Sequence, residues 1–137
     1  MKAIHLQNSL AFIFISLGAW CLLLPNRVEF LVFKPEFYIG NDTSALLVGC
    51  FGAQAILTGI LALTSRFTAK TFLYFGLIGS IPFFGFNYYF YIHQSMFTNW
   101  MILDFFGNAG ILACAILGYR LARQESKVKQ KLQRTSR

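Results

Sequence analysis

TFLYFGLIGSIPFFGFNYYFYI, residues 71–92, decides the fold class of this chain. It runs for 22 residues without a charged side chain. Phe72, Leu73, Tyr74, Phe75, Leu77, Ile78, Ile81, Phe83, Phe84 and Phe86 cover every side of a helix instead of one stripe. A soluble helix keeps one polar face for water, so this one reads as surrounded by apolar material. At about 1.5 Å per residue it is long enough to cross a hydrocarbon core about 30 Å thick.

Working outward, three further apolar stretches occupy 8–24, 44–64 and 98–119. The connections 65–70 and 93–97 are short, which forces consecutive helices to run antiparallel. The expectation is an all-α, integral membrane, multi-pass protein: a four-helix up-down-up-down bundle in one domain over 1–137. Residues 120–137 form its basic tail. Composition agrees, with 56% hydrophobic and 12% charged residues, against about 25% charged in soluble domains.

The net charge of +7 could suggest nucleic acid, but its placement points to a membrane instead. Arg120, Arg123, Lys127, Lys129, Lys131, Arg134 and Arg137 all follow Gly118, Lys2 precedes the first span, and Arg66 and Lys70 flank the second connection. Four crossings put all of these on one side. Only Arg27 and Lys34 remain for the other, beside Glu29, Glu36 and Asp42. The positive-inside rule then places both termini in the cytoplasm or its equivalent. Asn41-Asp42-Thr43 is an N-glycosylation triplet in the connection expected outside, which makes Asn41 a glycosylation candidate.

Lys2 followed by an apolar run also resembles a secretory signal peptide, but Leu22, Leu23 and Leu24 before Pro25 offer no small-residue cleavage site. Retention as a membrane helix is the expectation. Residues 25–43 mix Val28, Phe30, Leu31, Val32 and Phe33 with charges, a pattern for a segment lying on the membrane surface. The tail, with Val128 and Leu132 among basic residues, suits either a cationic helix on anionic headgroups or a solvated extension.

Small residues recur in the second span at Ala45, Gly49, Gly52, Gly59 and Ala62, a strip for close backbone approach. In the fourth span Asp104, Gly107, Asn108, Ile111, Cys114, Ala115 and Gly118 share one face, expected to look inward. Ile102, Phe105, Phe106, Ala109, Ala113 and Ile116 share the other, expected to meet lipid. Asp104 is the only acid within a span. A charge there costs about 2.5–3.5 kcal/mol at the span centre and less near an end. Asp104 lies roughly 9 Å below the boundary and Asn87 roughly 7–8 Å, from the same side; Gln54 and Asn108 lie roughly 15 Å deep. These depths suggest a polar cleft of Asp104, Asn87, Gln54, Asn108 and Tyr91, with Tyr88, His93 and Trp100 near its rim. Either these groups bond to one another and fix helix register, or they receive the head of a lipid or other amphiphile. In the second case Asp104 is the candidate acid or base.

Nothing in the sequence supports a metal site, because His5 and His93 belong to opposite faces of the membrane. Cys21, Cys50 and Cys114 form no CxxC pair. No phosphate-binding glycine loop or nucleophile–base pair can be assembled, so no cofactor is expected.

The run from Gly18 to Pro25, Gly52-Ala53-Gln54 through Gly59, and Asp104-Phe105-Phe106-Gly107-Asn108 with Gly118 and a basic tail resemble the small four-helix DoxX-like membrane proteins. The likeness covers roughly residues 10–120. Some members of that group accompany quinone-linked oxidoreductases, and many have no known activity. The small size, the glycine-rich faces and the basic tail imply a non-catalytic accessory or partner-binding subunit. Its partners would be membrane lipids and a larger membrane complex, or a second copy through the glycine-rich faces. The alternative is a lipid- or small-amphiphile-binding protein, or a lipid-modifying enzyme, using the cleft around Asp104.

Overall fold

The computed structural model describes residues 2–135, so Arg137 of the basic tail lies outside the described residues. The described chain is all-α, with no strand. Four long helices, α1 (Ala3–Leu23), α3 (Asp42–Thr64), α4 (Ala69–Asn87) and α5 (Ile102–Thr135), are joined by short pieces, among them the eight-residue α2 (Pro25–Val32). The regions Ala3–Leu23, Asp42–Thr64, Ala69–His93 and Asn99–Thr135 are each long and apolar enough to cross a membrane.

Local chemistry sets the helix ends. Asn41 caps α3 by accepting from Ser44 N, and the Ser44 hydroxyl answers the Asn41 amide, a reciprocal capping box. Thr68 and Thr71 form the same device at the start of α4. Leu24 leaves helical geometry just before Pro25, as expected of a residue ahead of proline, and Pro25 opens α2 where its missing N–H costs nothing. α4 runs through Pro82 and passes after Asn87 into a π-helical turn, Tyr88–His93.

Three boundaries differ from the hydropathy reading. α1 begins at Ala3, before residue 8, because Gln7 is buried and bonded instead of exposed. Residues 25–43 contain a helix, tied to the 94–98 connection by an antiparallel bridge between Phe33 and Phe97. There Lys34 N donates to Met96 O at 3.0 Å and Thr98 N to Val32 O at 2.8 Å. α5 continues unbroken through the basic segment to Thr135.

α1 is the central helix, with α3 on one side and α5 on another, and α4 packs on α5. α1 and α3 approach at backbone distance: a Cβ added to Gly18 would stand 2.7 Å from Gly52 O, and one added to Gly59 would stand 2.9 Å from Ala11 O. Gly49, by contrast, faces open space, so it does not belong to the packed strip. Leu6, Leu10, Phe72 and Ile111 form the apolar core where α1, α4 and α5 meet. Much of the remaining apolar surface faces outward, including Phe12 at 72% and Ile78 at 71% exposed. Apolar side chains turned outward in this way fit a chain whose solvent is hydrocarbon.

Candidate functional site

α3 and α4 follow one another in sequence yet hardly touch. Phe51 and Phe83 are the ring pair that bridges them, with centroids 6.2 Å apart. Between the two helices lies a cavity of about 940 Å³, backed by α1 and α5 and covered at one end by α2 and Phe97. Its lining is mostly apolar and aromatic, with Asp104, Asn108, Gln54, Thr58 and Glu29 among the polar exceptions. A few polar groups on apolar walls is the usual make-up of a small-molecule site.

Asp104 sits in the first turn of α5, where the helix dipole favours negative charge. Its Oδ2 accepts from Asn87 Nδ2 at 2.8 Å and from Asn108 Nδ2 at 2.8 Å. Asn108 Nδ2 also reaches the Asp104 carbonyl at 2.9 Å, one helical turn back. Both asparagines are buried, and Asp104 is half-buried. The Asn87 Oδ1 and Ser80 Oγ atoms are buried without a hydrogen-bond partner.

The structure thus joins Asp104, Asn87 and Asn108 directly; Asp104, Asn108 and, from α3, Gln54 line the cavity, whereas Asn87 lies behind Asp104 and does not. Tyr91 does not line it; its hydroxyl donates to Asn99 Oδ1 at 3.0 Å, because the π-helical turn carries it towards the 94–101 connection. Trp100 lines the cavity, whereas His93 stacks on Tyr89 outside it. The inward face of α5 is seen in the burial of Asn108, Ile111, Ala115 and Gly118, opposite exposed Phe105 and Phe106. Asn41 is exposed and serves as the α3 cap.

Two polar residues escaped the sequence reading. Glu29 is 2% exposed. Its Oε1 accepts from Ile39 N at 3.2 Å and Gly40 N at 3.1 Å, and its Oε2 accepts from the Ser44 hydroxyl at 2.7 Å. It therefore anchors the turn at Gly40, whose φ of +61° suits glycine, and holds α2 over the cavity. Its available signal was an acid inside an apolar run, followed by a Gly-Asn-Asp turn. Gln7 is 1% exposed. Its Nε2 donates to Ala62 O at 2.6 Å and Ser65 O at 2.7 Å, while its Oε1 accepts from Phe67 N at 3.1 Å. It satisfies the end of α3 that the helix itself leaves open.

Among the described residues no group of three His, Cys, Asp or Glu side chains could hold a metal, and all three cysteines are free. The arrangement can accept hydrogen bonds at one end and surround hydrocarbon along the rest. No family model, curated protein or solved structure matches the chain.

Proposed function

We propose that this chain is a non-catalytic four-span membrane protein that takes an amphipathic, lipid-like molecule from the bilayer into the cavity between α3 and α4. The observation that carries this reading is that cavity: about 940 Å³ beside two helices that scarcely meet, with two carboxylates, Asp104 and Glu29, among mostly apolar walls. A gap between lipid-facing helices lets a molecule move sideways from bilayer to site without crossing water. In the proposed arrangement the spans run up-down-up-down and both termini lie in the cytoplasm. The basic residues of 120–134 and of the 65–70 connection support that orientation.

Gentle extraction followed by native mass spectrometry tests the binding. The wild type is expected to retain a defined amphiphile, and Thr58→Trp, which fills the cavity from α3, to lose it while keeping its helicity. An empty wild-type protein in every extraction would sink the reading. Labelling Asp42→Cys and Ser126→Cys from the two sides tests the orientation, because the two positions must react in different compartments.

A second reading, an accessory subunit in a larger membrane complex, is favoured by one feature. Gly49 leaves open space on the surface of α3, room for the backbone of another helix. Copurification of a stoichiometric partner, lost in Gly49→Leu, would support it.

A further inference from the structure

The hydrogen-bonding capacity left around Asp104 is one-sided. A carboxylate only accepts, so both asparagines must present nitrogen to it. Asn87 Nδ2 and Asn108 Nδ2 do so, each at 2.8 Å from Oδ2. Their amide oxygens are thereby committed to other directions, and Asn87 Oδ1 is buried with no partner. Asp104 Oδ1 receives no hydrogen bond from the described residues. The carboxylate oxygen left open can only accept.

Charge points the same way. The cavity is lined by two acids, Glu29 and Asp104, and by no Lys, Arg or His among the described residues. Glu29 has both oxygens occupied by the Gly40 turn and Ser44. Asp104 is therefore the lining carboxylate with an oxygen to offer. A phosphate or carboxylate head would meet a like charge in an apolar setting, with no lining cation to offset it. An ammonium would meet an opposite charge and aromatic walls, Trp20, Trp100 and Phe97, that attract cations. A hydroxyl would find its acceptor.

We infer that the cavity selects a long-chain amphiphile whose head donates hydrogen bonds and carries no negative charge, an alcohol or a primary amine. The head sits on Asp104 Oδ1. The tail lies between α3 and α4 towards Thr58 and Thr71, the far end of the lining. This inference rests on the proposed binding function and adds the chemistry of the head group.

The test uses the full chain in nanodiscs and three probes of equal chain length: hexadecanol, hexadecylamine and hexadecanoate. Binding is read by native mass spectrometry and by protection against thermal unfolding. The expected result is that the alcohol, the amine or both bind at least about tenfold tighter than the acid. Asp104→Asn keeps an acceptor for Asn87 and Asn108 but removes the charge and turns an amide nitrogen to the head, which an alcohol oxygen can accept from and an ammonium cannot. It should lower amine binding by about tenfold while changing alcohol binding by less than about threefold. The tighter of the two probes on the wild type shows which of the two heads the cavity prefers. Equal or tighter binding of hexadecanoate overturns the inference while leaving the cavity a lipid site. An amine advantage that survives Asp104→Asn overturns the role of the carboxylate. Failure of all three probes to bind the wild type overturns the binding function itself. The comparison of probes on the wild type stands even if an Asp104 variant folds poorly.

Discussion

Asn87, the last residue of α4, donates through Nδ2 to Oδ2 of Asp104, in the first turn of α5, at 2.8 Å. This bond spans the whole connection between the two helices, with its π-helical turn and the Asn99–Met101 turn. It fixes α4 against α5 at the acid that lies within the apolar part of α5. Asn108 completes the cradle from one turn further along. The same three residues thus tie α4 to α5 and leave one carboxylate oxygen open, so the structural role leaves room for the proposed binding role.

Asn87→Leu should therefore destabilise the chain by about 1–2 kcal/mol, the scale of a lost hydrogen bond to a charged group in an apolar setting. Asn87→Asp should be worse, since it brings two carboxylates together. Unfolding in detergent, followed by circular dichroism, measures both. A leucine variant as stable as wild type would mean that the Asp104 cradle does not hold α4 to α5.

Glu29 gives a sharper contrast. Glu29→Gln keeps Oε1 as acceptor for the Ile39 and Gly40 amides, and Ser44 can turn its hydroxyl to accept from the new amide nitrogen. It should cost less than about 1 kcal/mol. Glu29→Ala strands two amide donors and should cost about 2–3 kcal/mol. Hydrogen exchange should rise at residues 39–44 in the alanine variant and stay near wild type in the glutamine variant. Equal effects would show that α2 is held over the cavity by something other than these bonds.

How far the sequence could be read follows from which distances it encodes. The long apolar helices are plain because an apolar run such as 71–92 needs no partner to be recognised. Asp104 and Asn108 pair at helical spacing within one helix, and Asn87 reaches them because equal depth on sequential helices brings side chains together. Gln7 and Glu29 stay hidden because their partners are backbone groups far along the chain, at Ala62, Ser65 and Phe67 and at Ile39 and Gly40. No periodicity marks such a bond. The gap between α3 and α4 is hidden for a related reason. A short connection implies neighbouring helices, yet the glycine contacts draw α3 onto α1 and away from α4.

Gln7 supports a prediction on the α3–α4 connection. Its nitrogen faces two carbonyls and its oxygen faces one amide, so only a primary amide fits all three. Gln7→Leu should cost about 2–3 kcal/mol by stranding these groups. Gln7→Glu, nearly the same shape, should be more damaging still, because a carboxylate would confront Ala62 O and Ser65 O with no proton to share. Denaturant titration of the three chains side by side checks the order wild type, leucine, glutamate. A glutamate variant more stable than the leucine variant would contradict the bonding assigned to Gln7.

The glycines of α3 offer a paired test of the helix arrangement that opens the cavity. A Cβ on Gly52 would stand 2.5 Å from Leu22 N and 2.6 Å from Gly18 O, both backbone atoms that cannot swing aside. Gly52→Ala must therefore push α1 and α3 apart, with a loss of about 1–3 kcal/mol, the usual range for overpacking. Gly49, one turn earlier, has nothing within 4 Å of its added Cβ. Gly49→Ala should be neutral or stabilise the helix by up to about 1 kcal/mol, since alanine holds helical geometry better than glycine. Because α1 backs the cavity, Gly52→Ala should also weaken retention of any amphiphile bound there, whereas Gly49→Ala should not. Melting curves and native mass spectra of the two variants read both effects. If the two alanines behave alike, α3 does not pack on α1 through Gly52, and the separation of α3 from α4 loses its cause.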